Sequence, residues 1–198
     1  MRFSFIGILI SSILLSACGF EQDELFAPQT LASYLLIESE EGRQLVRYAD
    51  SSLQVHWEDQ LGLNRSDLGG VAIYESELWL GDAGLPGLHR LAPQEGRIES
   101  SFPVDSLIPS ELAVGREVIL VCDAENSQLG FWHKERETLV RVPLATPATQ
   151  PFYLSGQFYV VRQDTVAVYH ETTFALLAKV AFADTVFNLE YEQRRTIT

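Results

Sequence analysis

The feature that most constrains the fold of this chain is a repeat of about forty residues. Four short apolar segments, at residues 34–37, 78–81, 118–121 and 158–161, begin 44, 40 and 40 residues apart. An acidic residue follows each of the last three segments, and these residues are Asp82, Asp123 and Asp164. A period of this length indicates one supersecondary unit that is stacked several times, so that neighbouring units cover each other's apolar faces.

Each repeat contains further strand candidates that are separated by polar turns. A second strand is predicted at residues 44–48, 87–91, 129–133 and 165–170, a third from about residues 53, 97, 138 and 174, and a shorter fourth at 70–74, 111–114, 152–154 and 187–191. We take the segment before each acidic residue as the innermost strand. The pattern predicts an all-β, β-propeller-like fold of about four four-stranded blades. A β-sandwich of the same strands is the alternative.

The hairpin formed by residues 78–82 and 87–91 resembles the repeat of YVTN-type and WD40-like propellers. In these repeats an apolar strand ends in a turn residue, and a second strand then runs into a polar turn. The resemblance extends over roughly residues 33–191. It implies that each repeat is one propeller blade.

Four repeats are fewer than the blades of common propellers, and three arrangements follow from this. The chain could form a closed four-bladed ring, a partial propeller completed by a partner or a second copy, or a truncated relative of a longer propeller. In an open ring the end blades would expose apolar residues, which favours association. We expect these residues to include Tyr34, Leu36, Phe174 and Leu176.

Residues 1–17 have the pattern of a signal peptide. Arg2 precedes an apolar run over residues 3–15, which is too short for a permanent membrane span. The residues Leu15-Ser16-Ala17-Cys18 resemble the lipobox of bacterial lipoproteins. The resemblance implies cleavage before Cys18, a diacylglyceryl thioether on its sulfur, and an acyl chain such as palmitate on its new amino group. Two or three acyl chains attach a protein stably to a membrane.

The predicted organisation is a signal peptide at 1–17, an acidic tether at 18–32 and a repeat domain at 33–198. The lipoprotein resemblance implies a lipid anchor in the bacterial cell envelope, in the outer membrane rather than the inner one. The net charge of −13 and the lack of a basic patch exclude nucleic-acid binding through phosphate contacts. We therefore expect membrane contact through the lipid, and an envelope protein or a second copy as partner.

No pattern in the sequence specifies an active site, and we expect no catalytic residue and no cofactor. Cys122 lies in an apolar run and is expected to be a buried small hydrophobe. Asp82, Asp123 and Asp164 are expected to form turns, because Asp side chains bind nearby backbone N–H groups. They are only weak candidates for a metal site, as are the histidines His89, His133 and His170. The ligand-binding residues are unknown at this stage.

The favoured function is therefore a membrane-anchored lipoprotein that presents a propeller-like domain for protein interaction. Two alternatives are kept. One is an enzyme or small-ligand binder similar to metal-dependent lactonases or quinoproteins, which would need carboxylates and histidines around a central channel. The other is a truncated propeller without independent activity.

Overall fold

The computed structural model describes residues 32–40, 42–49, 54–57, 63, 67–93 and 95–182. Their strands are, in chain order, β1 (Ala32–Ser39), β2 (Gly42–Ala49), β3 (Gln54–Trp57), β4 (Leu68–Tyr74), β5 (Glu77–Asp82), β6 (Gly87–Ala92), β7 (Arg97–Pro103), β8 (Glu111–Val114), β9 (Val118–Asp123), β10 (Gln128–His133), β11 (Thr138–Pro143), β12 (Thr149–Leu154), β13 (Gln157–Arg162), β14 (Thr165–His170) and β15 (Leu176–Ala181). Within these ranges the chain holds no helix of the length and apolarity needed to span a membrane.

The strands pair with their neighbours in the chain, and every pairing is antiparallel. The described residues form four sheets, in the orders β1-β2-β3, β4-β5-β6-β7, β8-β9-β10-β11 and β12-β13-β14-β15. A sandwich would place these strands in two facing sheets. The all-β prediction with one sheet per repeat is therefore confirmed, and the sandwich alternative was wrong.

The structure corrects the way in which the strands are grouped. Residues 70–74 were predicted as the fourth strand of the first repeat, but β4 pairs with β5 across a two-residue turn at Glu75 and Ser76. β4 is therefore the first strand of the second sheet, and the first sheet has three strands in the described part of the chain. The period alone could not show this, because a four-strand repeat has the same period wherever it is taken to begin.

This regrouping also moves the innermost strand. Among the first strands of the four-stranded sheets, β4 and β12 both contact β8, so these three strands form the inner edge of the stack. The strands β5, β9 and β13 are each second in their sheets. Asp82, Asp123 and Asp164 therefore follow the second strands, and the prediction that they follow the innermost strands was wrong.

The sheets are held together by three apolar clusters, each between two successive sheets. The first joins Leu45 of β2 to side chains of the second sheet. The second joins the second and third sheets around Trp79 and Trp132. The third joins the third and fourth sheets around Phe131 and Phe158. The order of the sheets in space is thus their order in the chain.

The third sheet is covered on both faces by its neighbours. All six residues of β9 are buried, and alternate residues belong to different clusters: Ile119 and Val121 pack toward the second sheet, and Leu120 and Cys122 pack toward the fourth. The sequence of a strand that is buried on both faces is a continuous apolar run rather than an alternation of apolar and polar residues. This explains why Cys122 is buried, as predicted.

The last strand of the fourth sheet is exposed. Every residue of β15 is exposed, and Leu176 is 53% exposed, so the expectation for Leu176 is confirmed. The expectation for Phe174 was wrong, because its ring stacks on that of Phe131 at 4.8 Å between the third and fourth sheets. The side chains of Tyr34 and Leu36 lie outside the described residues.

Trp79 lies at the centre of the contact between the second and third sheets. It is 2% exposed, and its ring centroid lies 5.7 Å from that of Phe102 and 5.6 Å from that of Trp132. We predict that Trp79→Ala lowers the free energy of unfolding by about 3–5 kcal/mol, because truncating a buried aromatic residue removes apolar contact and leaves a cavity. Chemical denaturation measures the change. Leu85→Ala, at a side chain that is 78% exposed, is the control, and equal stability of the two variants would contradict the prediction.

Candidate interaction surface

At one end of the stack, the turns between the first and second strands of three sheets come together. We call this surface the hairpin end and define it as residues 74–77, 114–118 and 153–157. Its turns connect β4 to β5, β8 to β9, and β12 to β13. Glu75 and Ser155 have φ angles of 53° and 50°, which are the positive values that tight hairpin turns require.

Two tyrosines from non-adjacent sheets meet at the hairpin end. Tyr74 ends β4, Tyr153 is near the end of β12, and their ring centroids lie 5.4 Å apart with the rings edge to face. The exposed side chain of Arg116, in the turn between β8 and β9, lies beside both. Its hydrogen bond to Tyr74 raises the pKa of the Arg116 guanidinium above its ordinary value. The surface therefore presents an exposed arginine beside a pair of half-buried tyrosines.

The buried carboxylate of Glu171 holds Tyr153 and the turn of Arg116 in place. Glu171, 5% exposed, follows β14 and accepts a hydrogen bond from the N–H of Glu117 at 2.8 Å. Its other oxygen accepts a hydrogen bond from the Tyr153 hydroxyl at 2.7 Å. Gly115 lies directly against this carboxylate, and a Cβ added there would be 2.5 Å from Glu171 Oε1. Glu171 thus fixes the third sheet's turn against the fourth sheet.

Lys134 makes the equivalent connection between the second and third sheets. It follows β10 as Glu171 follows β14, and its Nζ lies 2.5 Å from Oε2 of Glu77 at the start of β5. The ammonium group also lies 5.8 Å from the centre of the Tyr74 ring. We call the Lys134–Glu77 and Glu171–Glu117 contacts the clasps. In both of them, the residue after a third strand reaches back to the first turn of the preceding sheet.

A different set of polar contacts lies at the opposite end of the inner strands. Arg43 of β2 donates a hydrogen bond to the carbonyl of Leu68 at 2.8 Å. Glu111 of β8 accepts one from the N–H of Gln150 at 2.5 Å. Burial raises the pKa of the Glu111 carboxyl, although its hydrogen bond to Gln150 and the charge of Arg43 act in the opposite direction. These contacts connect residues of all four described sheets.

The three acidic residues of the repeat lie in three separate turns. Asp82 Oδ1 accepts hydrogen bonds from the N–H groups of Gly84 and Leu85, at 2.9 and 3.2 Å. Asp123 is fully buried and accepts from the N–H of Asn126 at 2.9 Å and from that of Ile108 at 3.1 Å. The hydrogen bonds that Asp123 accepts hold the pKa of its carboxyl below the ordinary value, against the effect of burial.

Asp164 contacts the side chain of its neighbour in the chain. Its Oδ1 accepts a hydrogen bond from the Thr165 hydroxyl at 3.0 Å. Asp82 and Asp123 thus stabilise their turns in the manner that the sequence predicts. Over the described ranges, no group of three or more His, Cys, Asp or Glu side chains has the arrangement needed to hold a metal ion.

The histidines of the repeat divide into two kinds. His133 and His170 end β10 and β14, and the Nδ1 of each accepts a hydrogen bond from a backbone N–H of the following turn: Arg136 at 3.3 Å and Thr172 at 3.2 Å. His89 lies inside β6, with Nδ1 2.8 Å from Ser101 Oγ and Nε2 3.6 Å from Asp82 Oδ2. Burial lowers the pKa of His89, although the Asp82 carboxylate opposes this. The structure does not bring the three histidines together.

The sequence did not indicate the residues of the hairpin end. Tyr74, Arg116, Tyr153 and Glu171 do not recur at the repeat period, and their contacts join parts of the chain far apart in sequence. The only available signal was the equivalent placement of Lys134 and Glu171 directly after the two turn-forming histidines. That signal predicts a shared position but not what the side chains contact.

The comparisons with known proteins concern the fold. No protein-family model matches the chain, and no curated protein matches it in sequence. Among solved structures, BamB from Moraxella catarrhalis superposes with a TM-score of 0.59 at 13% identity, over 81% of this chain and 49% of that one. The WD40 domain of Pan2 from Neurospora crassa gives a TM-score of 0.57 at 13% identity, over 77% of this chain and 52% of that one. The chain has a propeller-like fold.

The sheets are therefore blades of a propeller-like structure, and the chain spans about half the length of these two proteins. A glutaminyl cyclase from Myxococcus xanthus also superposes, with a TM-score of 0.54 at 14% identity, over 75% of this chain and 66% of that one. The names of these three proteins differ widely. At sequence identities of 13% and 14%, the similarity concerns the fold alone. What the blades bind has to be argued from their surface.

The contact between Tyr153 and Glu171 gives a prediction about stability and pH. Burial, together with the hydrogen bond to Glu171, raises the pKa of Tyr153 to about 12. Because the pKa is higher in the folded state, the stabilisation is complete below pH 10 and is lost as the pH rises from 10 to 12. We expect Tyr153→Phe to lower the free energy of unfolding by about 1–3 kcal/mol at pH 8, and this difference to shrink above pH 10.

Denaturant unfolding at several pH values measures this difference. Tyr159→Phe is the matched control, because its hydroxyl donates to the uncharged amide oxygen of Gln157 at 3.0 Å. At pH 8, Tyr159→Phe should lower the free energy of unfolding less than Tyr153→Phe does. A Tyr153→Phe variant as stable as the wild type at pH 8 would contradict a stabilising role of the Tyr153–Glu171 hydrogen bond.

Proposed function

We propose that this chain is a lipid-anchored protein of the bacterial cell envelope whose propeller-like domain binds another protein at the hairpin end. The observation that carries the binding proposal is the exposed Arg116 beside the contacting rings of Tyr74 and Tyr153. Arginine and tyrosine are enriched at the energetic centres of protein interfaces, because each combines a large contact area with hydrogen-bonding groups.

The hairpin end suits this role because it is held in place before a partner arrives. Binding loses free energy when flexible side chains and loops must be ordered. Here the turn of Arg116 is fixed by the hydrogen bond from Glu117 N–H to Glu171, and Tyr153 is fixed by the same carboxylate. Lys134 covers Tyr74 from the neighbouring sheet. Little further ordering is then needed on the side of this protein.

The anchor is proposed from residues 15–18, which lie outside the described residues. The lipobox-like Leu15-Ser16-Ala17-Cys18 implies that Cys18 carries the lipid, and β1 begins fourteen residues later at Ala32. A chain of that length reaches at most about 50 Å. The net charge of −13 opposes contact with anionic lipid headgroups. The domain would therefore be kept near the membrane but off its surface, and the outer membrane is the proposed location.

The proposal is tested by photo-crosslinking in intact bacterial cells that naturally express the chain. A photoreactive amino acid replaces Ser76, an exposed turn residue beside Tyr74, and in a matched control it replaces Glu125, an exposed residue at the opposite end of the blades. We expect the Ser76 probe to give a discrete adduct with a protein other than this chain. Arg116→Ala should reduce that adduct at least tenfold, because it removes the central contact while leaving the fold intact.

The anchor is tested in the same cells. Cys18→Ser should abolish labelling by a fatty-acid probe, leave an unprocessed precursor and weaken the Ser76 adduct. Equal adducts from the Ser76 and Glu125 probes, or an adduct insensitive to Arg116→Ala, would overturn the binding surface. Normal acyl labelling and processing of the Cys18→Ser chain would overturn the anchor.

A further inference from the structure

The hydroxyl of Ser101 and the ring of His89 form a hydrogen-bonded pair on the second sheet. The two residues lie opposite each other on β7 and β6, and Nδ1 of His89 is 2.8 Å from Oγ of Ser101. The His89 ring is buried, whereas Ser101 is exposed. A serine that is open to solvent and bonded to a buried imidazole has the arrangement of a nucleophile beside its general base.

Asp82 is placed to determine which nitrogen of the His89 ring carries the proton. Its Oδ2 lies 3.6 Å from Nε2 of His89, and Nε2 makes no hydrogen bond within the described residues. A carboxylate accepts hydrogen bonds and does not donate them, so it favours the tautomer with the proton on Nε2. Nδ1 is then the acceptor, and the Ser101 hydroxyl donates to it. Contacts of this kind shorten when a substrate binds.

The surrounding turn and the burial of the ring both suit this role. Oδ1 of Asp82 accepts hydrogen bonds from the N–H groups of Gly84 and Leu85. These bonds fix the carboxylate and leave its other oxygen facing the ring. Burial lowers the pKa of His89. The ring is therefore neutral at neutral pH and is able to accept a proton from Ser101.

The backbone of β7 places a hydrogen-bond donor beside the Ser101 hydroxyl. The N–H of Val104 donates to the carbonyl of Pro86 at 3.1 Å, on the β6 side of the strand. N–H groups alternate in direction along an antiparallel strand, so that of Phe102 also points toward β6 and that of Ser101 points away from it. The Ser101 N–H is therefore able to donate to the oxyanion that forms when its own hydroxyl attacks a carbonyl group.

We propose that Ser101 is the nucleophile of an esterase site, with His89 as its general base and Asp82 as the residue that positions the ring. The oxygen of Ser101 bonds to the carbonyl carbon of a carboxylic ester while its proton moves to Nδ1 of His89. The bond from that carbon to the alkoxy oxygen then breaks, and His89 returns the proton to the leaving alcohol. Water attacks the acyl-serine in the same way, which releases the acid and restores Ser101.

The position and charge of the site indicate an uncharged ester. The Asp82 carboxylate and the net charge of −13 disfavour the approach of anionic substrates. Ser101 is exposed on β7, the last strand of its sheet, so an ester reaches it from solvent. Asp82 ends β5, whose first residue, Glu77, belongs to the hairpin end. The site therefore lies toward the opposite end of the sheet, and its activity is separate from the proposed protein binding.

The sequence analysis expected no catalytic residue, because no local motif contains these three side chains. Asp82, His89 and Ser101 lie on three successive strands and are brought together by the pairing of β5, β6 and β7.

The test is covalent labelling of the full chain, purified in a non-ionic detergent, with a fluorophosphonate that reacts with activated serine hydroxyls. Mass spectrometry of peptides should locate the label on Ser101, and the chain should hydrolyse p-nitrophenyl acetate. Ser101→Ala, at an exposed side chain, should abolish both reactions. Ser100→Ala is the matched control: Ser100 is the preceding residue of β7 and points to the opposite face of the sheet, so this variant should keep both.

Two further variants separate the base from the positioning residue. His89→Gln should slow labelling at least about a hundredfold, because it removes the general base. Asp82→Asn should also slow labelling, because an asparagine amide donates to Nε2 and favours the tautomer with the proton on Nδ1. Nitrogen NMR of the His89 ring should show the proton on Nε2 in the wild type and on Nδ1 in the Asp82→Asn chain, a change that a purely structural role would not produce.

Circular dichroism establishes that each variant is folded. A folded wild type that is not labelled, a label on another residue, or a labelling rate unchanged by His89→Gln would each overturn the esterase site. The wild-type tautomer in a folded Asp82→Asn chain would overturn the role of Asp82.

Discussion

The second and third sheets of this chain are apolar on both faces, and a sheet can be covered on both faces only by lying between two others. The third sheet shows the constraint most clearly. Ile119 and Leu120 are neighbours in β9, are both fully buried, and belong to clusters on opposite faces of the sheet. Apolar surface buried in this way is worth roughly 25 cal/mol per Å². The stability of one blade therefore depends on its neighbours, and the arrangement of the rest of the chain follows from this.

The polar contacts of the structure are arranged around that packing. The clasps lie where one blade meets the next, so that the buried Glu171 carboxylate and the Lys134 ammonium satisfy groups on the preceding sheet. A buried carboxylate without hydrogen-bond donors would be strongly destabilising. Because the clasps also fix the turns of the hairpin end, the contacts that join the blades keep Arg116 and Tyr153 in place as well. Stability and the proposed binding surface thus share the same residues.

The sequence predicted the strands well because strand formation here depends on local patterns. Runs such as residues 118–121 are apolar enough, and their turns polar enough, for the bounds to fall within a few residues of those observed. The start of each blade was not predictable, because a period does not mark its own origin. The innermost strand was misplaced for the same reason, and with it the position of Asp82, Asp123 and Asp164 within the blades.

The candidate surface could not be predicted, because its contacts are not local. Glu171 bonds a backbone group 54 residues earlier in the chain, and Lys134 contacts a carboxylate 57 residues earlier. Tyr74 and Tyr153 meet across an intervening blade. Such contacts depend on the curvature of the stack, and this is set by how side chains of different size pack between the sheets. A repeat pattern contains no information about that curvature.

Native-state amide hydrogen exchange tests the central claim, that blades are stabilised by their neighbours, most directly. Local opening is least favourable where both faces of a sheet are buried. The account predicts the slowest exchange in β5, β9 and β10, whose sheets each lie between two others, intermediate exchange in β13, and fast exchange along β15, whose residues are all exposed. Equal protection in all four described sheets, or slowest exchange in β15, would show that each sheet is stable by itself and would contradict the account.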